Sequence, residues 1–281
     1  MERRLTLHIG MPDTGGSAIQ THLNLLGPSV CPVLLPIDLL VLGGTDQAVR
    51  RYSRRFGGVA PNMLAELREE LASGEDPHSI ISSEFLFEST DPEFVQNLKI
   101  ELGRIFSEIR IVVYLRHQAD HFLTQISKRV EAGAHDWSEI TSLPQKLYEY
   151  DRICDVWANE FPLIVRDFSR CGSNVVADFC EVVGLPESKH RIPAAPTEIL
   201  DDQTLRLLAL VNACADRSKV DERQKVVREL KNLKLSKRRF CIEDATMAKL
   251  MTQFEDGNMR VAKKWLGGVP LNNLSIPLDA Q

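Results

Sequence analysis

The stretch that most constrains the fold lies near the start of the chain. Leu5, Leu7 and Ile9 form a short apolar run of strand-like composition, and Gly10, Pro12, Asp13, Thr14, Gly15 and Gly16 follow directly. Ile19, Leu23 and Leu26 then recur at helical spacing. The reading is strand, glycine-bearing loop, helix. Small residues in such a loop let a ligand approach the backbone, and the amides of the loop and of the helix start converge on one spot that favours an anion. A plain strand-to-helix turn of an α/β domain is the other use of the same glycines.

Two nucleotide-binding patterns test the loop. Gly10, Gly15 and Ser17 fit G-x-x-x-x-G-K-[ST], but Gly16 stands at the lysine position, which argues against an ordinary ATPase or kinase loop. The dinucleotide pattern G-x-G-x-x-G fails on the spacing of Gly10 and Gly15.

Strand and helix signals alternate further along. Ser79-Ile80-Ile81-Ser82-Ser83-Glu84 reads as a short strand ending in hydroxyls and a carboxylate, 109–115 as a nearly continuous β-branched run ending in Arg116, and 162–168 as a strand with a polar end. Helices are predicted over 61–73, 92–106, about 119–130, 147–161 and 174–183, the last closed by Gly184, and a short strand over 31–36. An unbroken apolar strand suits the centre of a parallel sheet covered on both faces. Ligands bind beyond the carboxyl ends of such strands, which makes the polar cluster ending in Glu84 a site candidate. The loops at 39–58 and 133–143, the second around Trp137, are candidates for lining a substrate pocket. His117 and His121, four apart on one helix face, lack the glutamate of a metalloprotease motif and any evident third ligand, so no metal is expected. A linker at 192–196 precedes helices at 201–216, 221–234 and 243–265, whose faces (Leu205, Leu208, Ala209; Leu250, Phe254, Val261) are amphipathic. The arginines at 50, 51, 54 and 55 read as a solvated helix face or as a surface that meets an anionic acceptor, and the basic group Lys234, Lys237, Arg238 and Arg239 as a solvated turn or as a patch that steers a polyanionic ligand.

Composition narrows the class. With 281 residues, 43% hydrophobic and 26% charged, the chain is an ordinary globular protein long enough for one large domain. A net charge of −5 gives no general pull toward nucleic acid or anionic membrane, so an anion site must be local. The apolar run after Arg4 is broken too early for a signal peptide, no transmembrane stretch is present in the sequence, and the six cysteines are scattered without a C-x-x-C pair. The expected compartment is cytoplasmic.

The segment His8-Ile9-Gly10-Met11-Pro12-Asp13-Thr14-Gly15-Gly16-Ser17 resembles the 5′-phosphosulfate loop of the sulfotransferase superfamily, in particular the bacterial branch, whose segment runs approximately H-I-G-x-x-K-T-G-T-T. Thr14, Gly15 and Ser17 match, Gly16 replaces a threonine, and Asp13 stands where the family has lysine. The strand ending Ser82-Ser83-Glu84 is similar to the family's strand followed by S-S-E. Arg116 with Thr124 resembles the motif in which a strand-end arginine and a serine on the next helix grip a 3′-phosphate. The order of later elements extends the likeness over most of 4–186.

The resemblance implies a three-layer, P-loop-like α/β fold with a central parallel sheet flanked by helices, forming a single domain over 1–281 with its core at 4–190 and a helical C-terminal extension at 198–266. It implies transfer of a sulfuryl group from 3′-phosphoadenosine-5′-phosphosulfate (PAPS) to a hydroxyl of a carbohydrate, glycolipid or small metabolite, with no metal. Glu84 would be the base. Pro12, Asp13, Thr14, Gly15, Gly16, Ser17, Arg116 and Thr124 would bind the donor. Asp13 changes the local charge by two units relative to lysine, and a unit-charge contact at 4 Å is worth about 4 kcal/mol at an effective dielectric of 20. Either Lys128 or Arg129 replaces the charge, or Asp13 turns away while backbone amides suffice, or the protein binds a nucleotide or carbohydrate without transferring sulfate. A small-molecule kinase with an aberrant loop is a third class.

Overall fold

The computed structural model describes residues 3–26, 78–84, 86–143, 145–171, 174–185, 199–214, 220–233, 235–236, 240–242 and 244–272. The expected strand at 31–36, the helix at 61–73, the loop at 39–58, the arginines at 50, 51, 54 and 55, the linker at 192–196 and the basic group Lys234, Lys237, Arg238 and Arg239 lie outside them. The chain divides into two compact units. The first comprises 1–116, 149–196 and 257–272, and the second 117–148, 197–256 and 273–281.

The first unit is α/β, as the alternating pattern requires. Strands β1 (Arg4–Ile9), β2 (His78–Ser83), β3 (Glu108–Leu115) and β4 (Leu163–Asp167) form a parallel sheet in the order β2-β1-β3-β4. The register sets His8 against Ser82, Ile9 against Ser83 and Leu115 against Asp167, so the four carboxyl ends share one edge of the sheet. Helix α1 (Gly16–Leu26) follows β1 directly, α2 (Pro92–Gly103) precedes β3, and β4 is bracketed by α6 (Tyr150–Ala158) and the pair α7 (Phe168–Cys171) and α8 (Val175–Val183). The period-2 alternation of side chains assigns each strand residue to a face. Ile80, Val112 and Tyr114 pack with Ala18, Ile19 and Leu23 of α1 and with Val175, Val176, Phe179 and Val183 of α8. Leu5, Leu7, Ile9, Ile111, Val113 and Leu115 are equally buried and alternate with that set, toward the face carrying α2 and α6. Helix, sheet and helix thus make three layers, the fold class expected.

Local chemistry explains where the elements stop. Asp91 caps α2 by accepting from the Glu93 amide, with Pro92 in the first turn, where no amide donor is needed. Gly184 ends α8 in a left-handed conformation (φ 75°), which glycine adopts without a Cβ clash. The predicted helix over 147–161 is interrupted at Glu149, whose ψ of 64° is not helical, giving α5 (Gln145–Tyr148) and α6. Asp151 and Asp155 of α6 pair with Arg260 and Lys264, both pairs four residues apart, so opposite charges at equal helical spacing fix one register. Exposed pairs of this kind contribute at most about 1 kcal/mol each, so they specify more than they stabilise.

The second unit is helical. Helix α3 (Gln118–Glu131) packs with α4 (Trp137–Ile140) and α9 (Asp202–Cys214), and α9 with α10 (Val220–Leu233). Helix α11 (Asp244–Trp265) contributes its residues before Gly257 here and the rest to the first unit. Asn212 donates to the carbonyls of Val130 and Ala134, satisfying acceptors that the end of α3 leaves over. Leu205, Leu208, Ala209, Leu250 and Phe254 are buried, as their periodicity predicts. No helix among the described residues is long and apolar enough to cross a membrane.

Candidate active site

The loop between β1 and α1 sits at the carboxyl edge of the sheet. The Gly10 amide donates to the Ser83 carbonyl (2.8 Å), extending the strand pairing one step past Ile9. The Thr14 hydroxyl, fully buried, donates to the Met11 carbonyl (2.6 Å) and closes the turn from inside. Asp13 and Gly15 on either side of it hold positive φ, 64° and 84°. Aspartate is among the few side-chain-bearing residues that tolerate this region, so Asp13 fits the turn where a lysine would be strained. The Gly15 carbonyl accepts from the Ala18 and Ile19 amides and starts α1, whose leading amides face the loop. Ser17 is exposed, and Pro12 is half-buried.

Gly15 is doubly constrained, because besides its φ a Cβ there would lie 2.6 Å from Val175 Cγ1. Gly15→Ala is expected to destabilise the protein by about 2–4 kcal/mol, from left-handed strain and overpacking, measured by denaturant unfolding.

Two charged side chains from neighbouring strand ends meet this loop. Glu84, half-buried just past β2, lies across the glycines: a Cβ on Gly10 would be 3.4 Å from its Cγ, and one on Gly16 only 2.8 Å from its Oε1. Arg116, 6% exposed at the end of β3, donates from Nη1 to the Asp13 carbonyl at 3.5 Å, and its guanidinium lies 5.9 Å from the Phe168 ring centroid. The Tyr150 hydroxyl donates to the Arg116 carbonyl (2.7 Å) and anchors that strand end. The structure therefore brings 10–17, Glu84 and Arg116 together.

Behind the loop is a polar support that the sequence pattern did not single out. His8 is fully buried with Nδ1 2.8 Å from Ser82 Oγ, and Gln20 of α1 donates to the Ser82 carbonyl (3.1 Å) and hydroxyl (3.3 Å). These contacts tie β1, β2 and α1 on either side of the loop. The alternation Leu5-Thr6-Leu7-His8-Ile9 was the available signal, since it sends Thr6 and His8 to one buried face. Burial pushes the His8 pKa from 6.5 down to about 4, so the ring is neutral when folded. The unfolded chain takes up that proton first, so stability is full above pH 6.5 and falls as pH drops toward 4. His8→Gln is expected to remove about 3 kcal/mol of the stability lost over this window, read by denaturant unfolding at stepped pH.

Beyond β4 is a cleft of about 250 Å³ lined by Arg166, Asp167, Arg170, Cys171, Asp178 and Trp265 among others. Its charges compensate internally. Arg166 forks onto Asp178, which also accepts from the Tyr114 hydroxyl (2.7 Å), and Arg170 pairs with Asp167 (3.1 Å). Burial pushes the Asp178 carboxyl up, but hydrogen bonds from Arg166 and Tyr114 outweigh it and hold it below the usual range. Burial also lifts the Cys171 thiol to about 12, so it is no nucleophile at neutral pH.

The remaining sequence candidates lie in the second unit. Thr124 is fully buried on α3, with its hydroxyl donating to the Asp120 carbonyl (3.0 Å). Its oxygen keeps acceptor capacity while its proton is engaged. Arg129 donates to the carbonyls of Glu139, Ile140 and Ser142, so its guanidinium caps α4. Trp137 stacks on Phe240 (6.1 Å) with Arg206 over its ring, inside a region predicted irregular but containing α4, which Asp136 caps. His117 caps α3 by accepting from the Ala119 amide, and His121 meets the Tyr148 hydroxyl at 3.0 Å. No group of three or more metal-ligating side chains occurs among the described residues.

No protein-family model and no curated protein sequence matches the chain. Among solved structures, it is similar to the sulfotransferase domain from the Synechococcus PCC 7002 olefin synthase, at 12% identity and a TM-score of 0.34 over 90% of this chain and 95% of that one. The sulfotransferase domain from the curacin biosynthetic pathway gives 12% identity and a TM-score of 0.35, over 91% of this chain and 98% of that one. Mouse sulfotransferase SULT7A1, solved with PAP, gives 9% identity and a TM-score of 0.38, over 95% of this chain and 87% of that one.

Proposed function

We propose that the chain is a PAPS-dependent sulfotransferase acting on a hydroxyl of a glycan, lipid or small metabolite, in the cytoplasm and without a metal. The observation that carries this reading is the convergence of Glu84 and Arg116 on the loop at 10–17, a carboxylate and a guanidinium beside one turn that faces a helix start. Sulfuryl transfer asks for these parts. The Glu84 carboxylate takes the acceptor's proton as its oxygen bonds to sulfur, the bond from sulfur to the 5′-phosphate oxygen breaks, and that oxygen keeps the electron pair. The amides of the loop and of the start of α1 hold the phosphate on which charge grows. Arg116 fixes the 3′-phosphate and so separates this donor from ATP.

Asp13 favours a second reading, a protein that binds the bisphosphate without turnover, because its carboxylate belongs to the turn that would hold the leaving phosphate. Of the expected replacements for the family's lysine, Arg129 is spent on α4. Transfer of labelled sulfate from PAPS to a panel of sugar and lipid hydroxyls separates the readings; no product from any acceptor favours the binder. Asp13→Asn removes the charge and keeps a residue suited to positive φ. Bisphosphate affinity is expected to rise about tenfold by titration calorimetry, and a fall would give Asp13 a binding role.

A further inference from the structure

The glycines of the loop are not equivalent. Gly15 holds a positive φ and packs on Val175, whereas Gly10 and Gly16 are absent from the positive-φ residues of the described chain. Their backbone conformations do not require glycine. Gly16 also opens α1, where alanine would favour the helix. What both share is the neighbour: a Cβ on Gly16 would meet Oε1, Cγ and Cδ of Glu84 at 2.8, 3.4 and 3.6 Å, and one on Gly10 would meet Glu84 Cγ at 3.4 Å and His8 Cε1 at 3.3 Å.

We infer that Gly16 is a positioning residue for Glu84, its missing side chain leaving the slot in which the carboxylate lies against the phosphate-facing loop. In the sequence Gly16 reads only as a replaced threonine; the slot for Glu84 gives the replacement a purpose. A methyl group at position 16 keeps the amide that an anion would use but displaces the carboxylate. Base and anion cradle are then separately adjustable. The inference rests on the sulfotransferase reading for its catalytic consequence, but the contact itself does not.

Two double-mutant cycles test it. In the first, thermal unfolding is followed for wild type, Gly16→Ala, Glu84→Ala and the double variant, with no donor present. Gly16→Ala is expected to raise Tm in the Glu84→Ala background and to raise it less, or lower it, in the wild type; equal shifts in both backgrounds overturn the inference. In the second, Gly16→Ala is expected to lower kcat at least tenfold, to change acceptor KM less than threefold, to leave the bisphosphate bound as tightly as in the wild type or more tightly, and to cost nothing further in a Glu84→Gln background. An equal loss of kcat in both backgrounds, or a loss of bisphosphate binding, also overturns it. Absence of transfer by the wild type would sink the functional reading alone and leave the stability cycle to decide this one.

Discussion

Glu84→Gln is expected to lower sulfate transfer by about 10²–10⁴-fold while tightening the bisphosphate. Removing a positioned general base costs a factor of that order. Glutamine keeps the shape that lies across Gly10 and Gly16, so the slot stays filled and only the charge and basicity go. The opposite sign on binding follows from position, because a carboxylate against the loop repels the phosphate the loop would hold. At 4 Å and an effective dielectric of 20 that repulsion is about 4 kcal/mol, and solvent leaves a fraction, so a gain of about tenfold or more is expected. Single-turnover transfer and calorimetry with 3′,5′-adenosine bisphosphate read the two effects. Full transfer by the variant would place the base elsewhere, and weaker binding would mean that the carboxylate accepts a hydrogen bond from the ligand.

Arg116→Ala is expected to weaken the bisphosphate by about 2–5 kcal/mol, at least thirtyfold, since truncating one side of a buried charged contact leaves the other side unpaired. Arg116 also donates to the Asp13 carbonyl and lies near Phe168, so its removal loosens the loop as well. Arg116→Lys separates the contributions by keeping the charge and losing the planar fork. The lysine variant should hold part of the affinity and most of the stability. Unchanged bisphosphate affinity in the alanine variant would remove Arg116 from the site.

The α/β class was legible because β1 to β4 carry apolar runs that only a sheet covered on both faces can bury, and because turn residues punctuate them. Boundaries fell where expected at the caps Asp91 and Gly184 and moved by one to three residues at the other ends of the same helices, from 106 to Gly103 and from 174 to Val175. The candidate site was legible at its strand ends, since Glu84, Arg116 and the glycine loop each close an apolar strand and parallel strands end on one side. What the sequence hid is three-dimensional. Nothing in the spacing of Gly16 and Glu84 says that one leaves room for the other, and nothing local says that His8, Ser82 and Gln20 brace the loop across three elements. Arg129 read as a spare cation because its three acceptors are carbonyls of a turn that periodicity left irregular. Asp13 read only as an inverted charge; its positive φ adds that the residue suits the turn.

Thermal unfolding of the wild type and Arg116→Ala with 3′,5′-adenosine bisphosphate or Mg-ATP is the most direct test of nucleotide binding at this loop. At about a hundred times Kd, a ligand specific for the folded state adds about 2.7 kcal/mol, a rise of several degrees in a chain of this size. The bisphosphate should produce that rise in the wild type and not in Arg116→Ala, with Mg-ATP producing none. A rise with Mg-ATP alone, or none with the bisphosphate, would contradict the account.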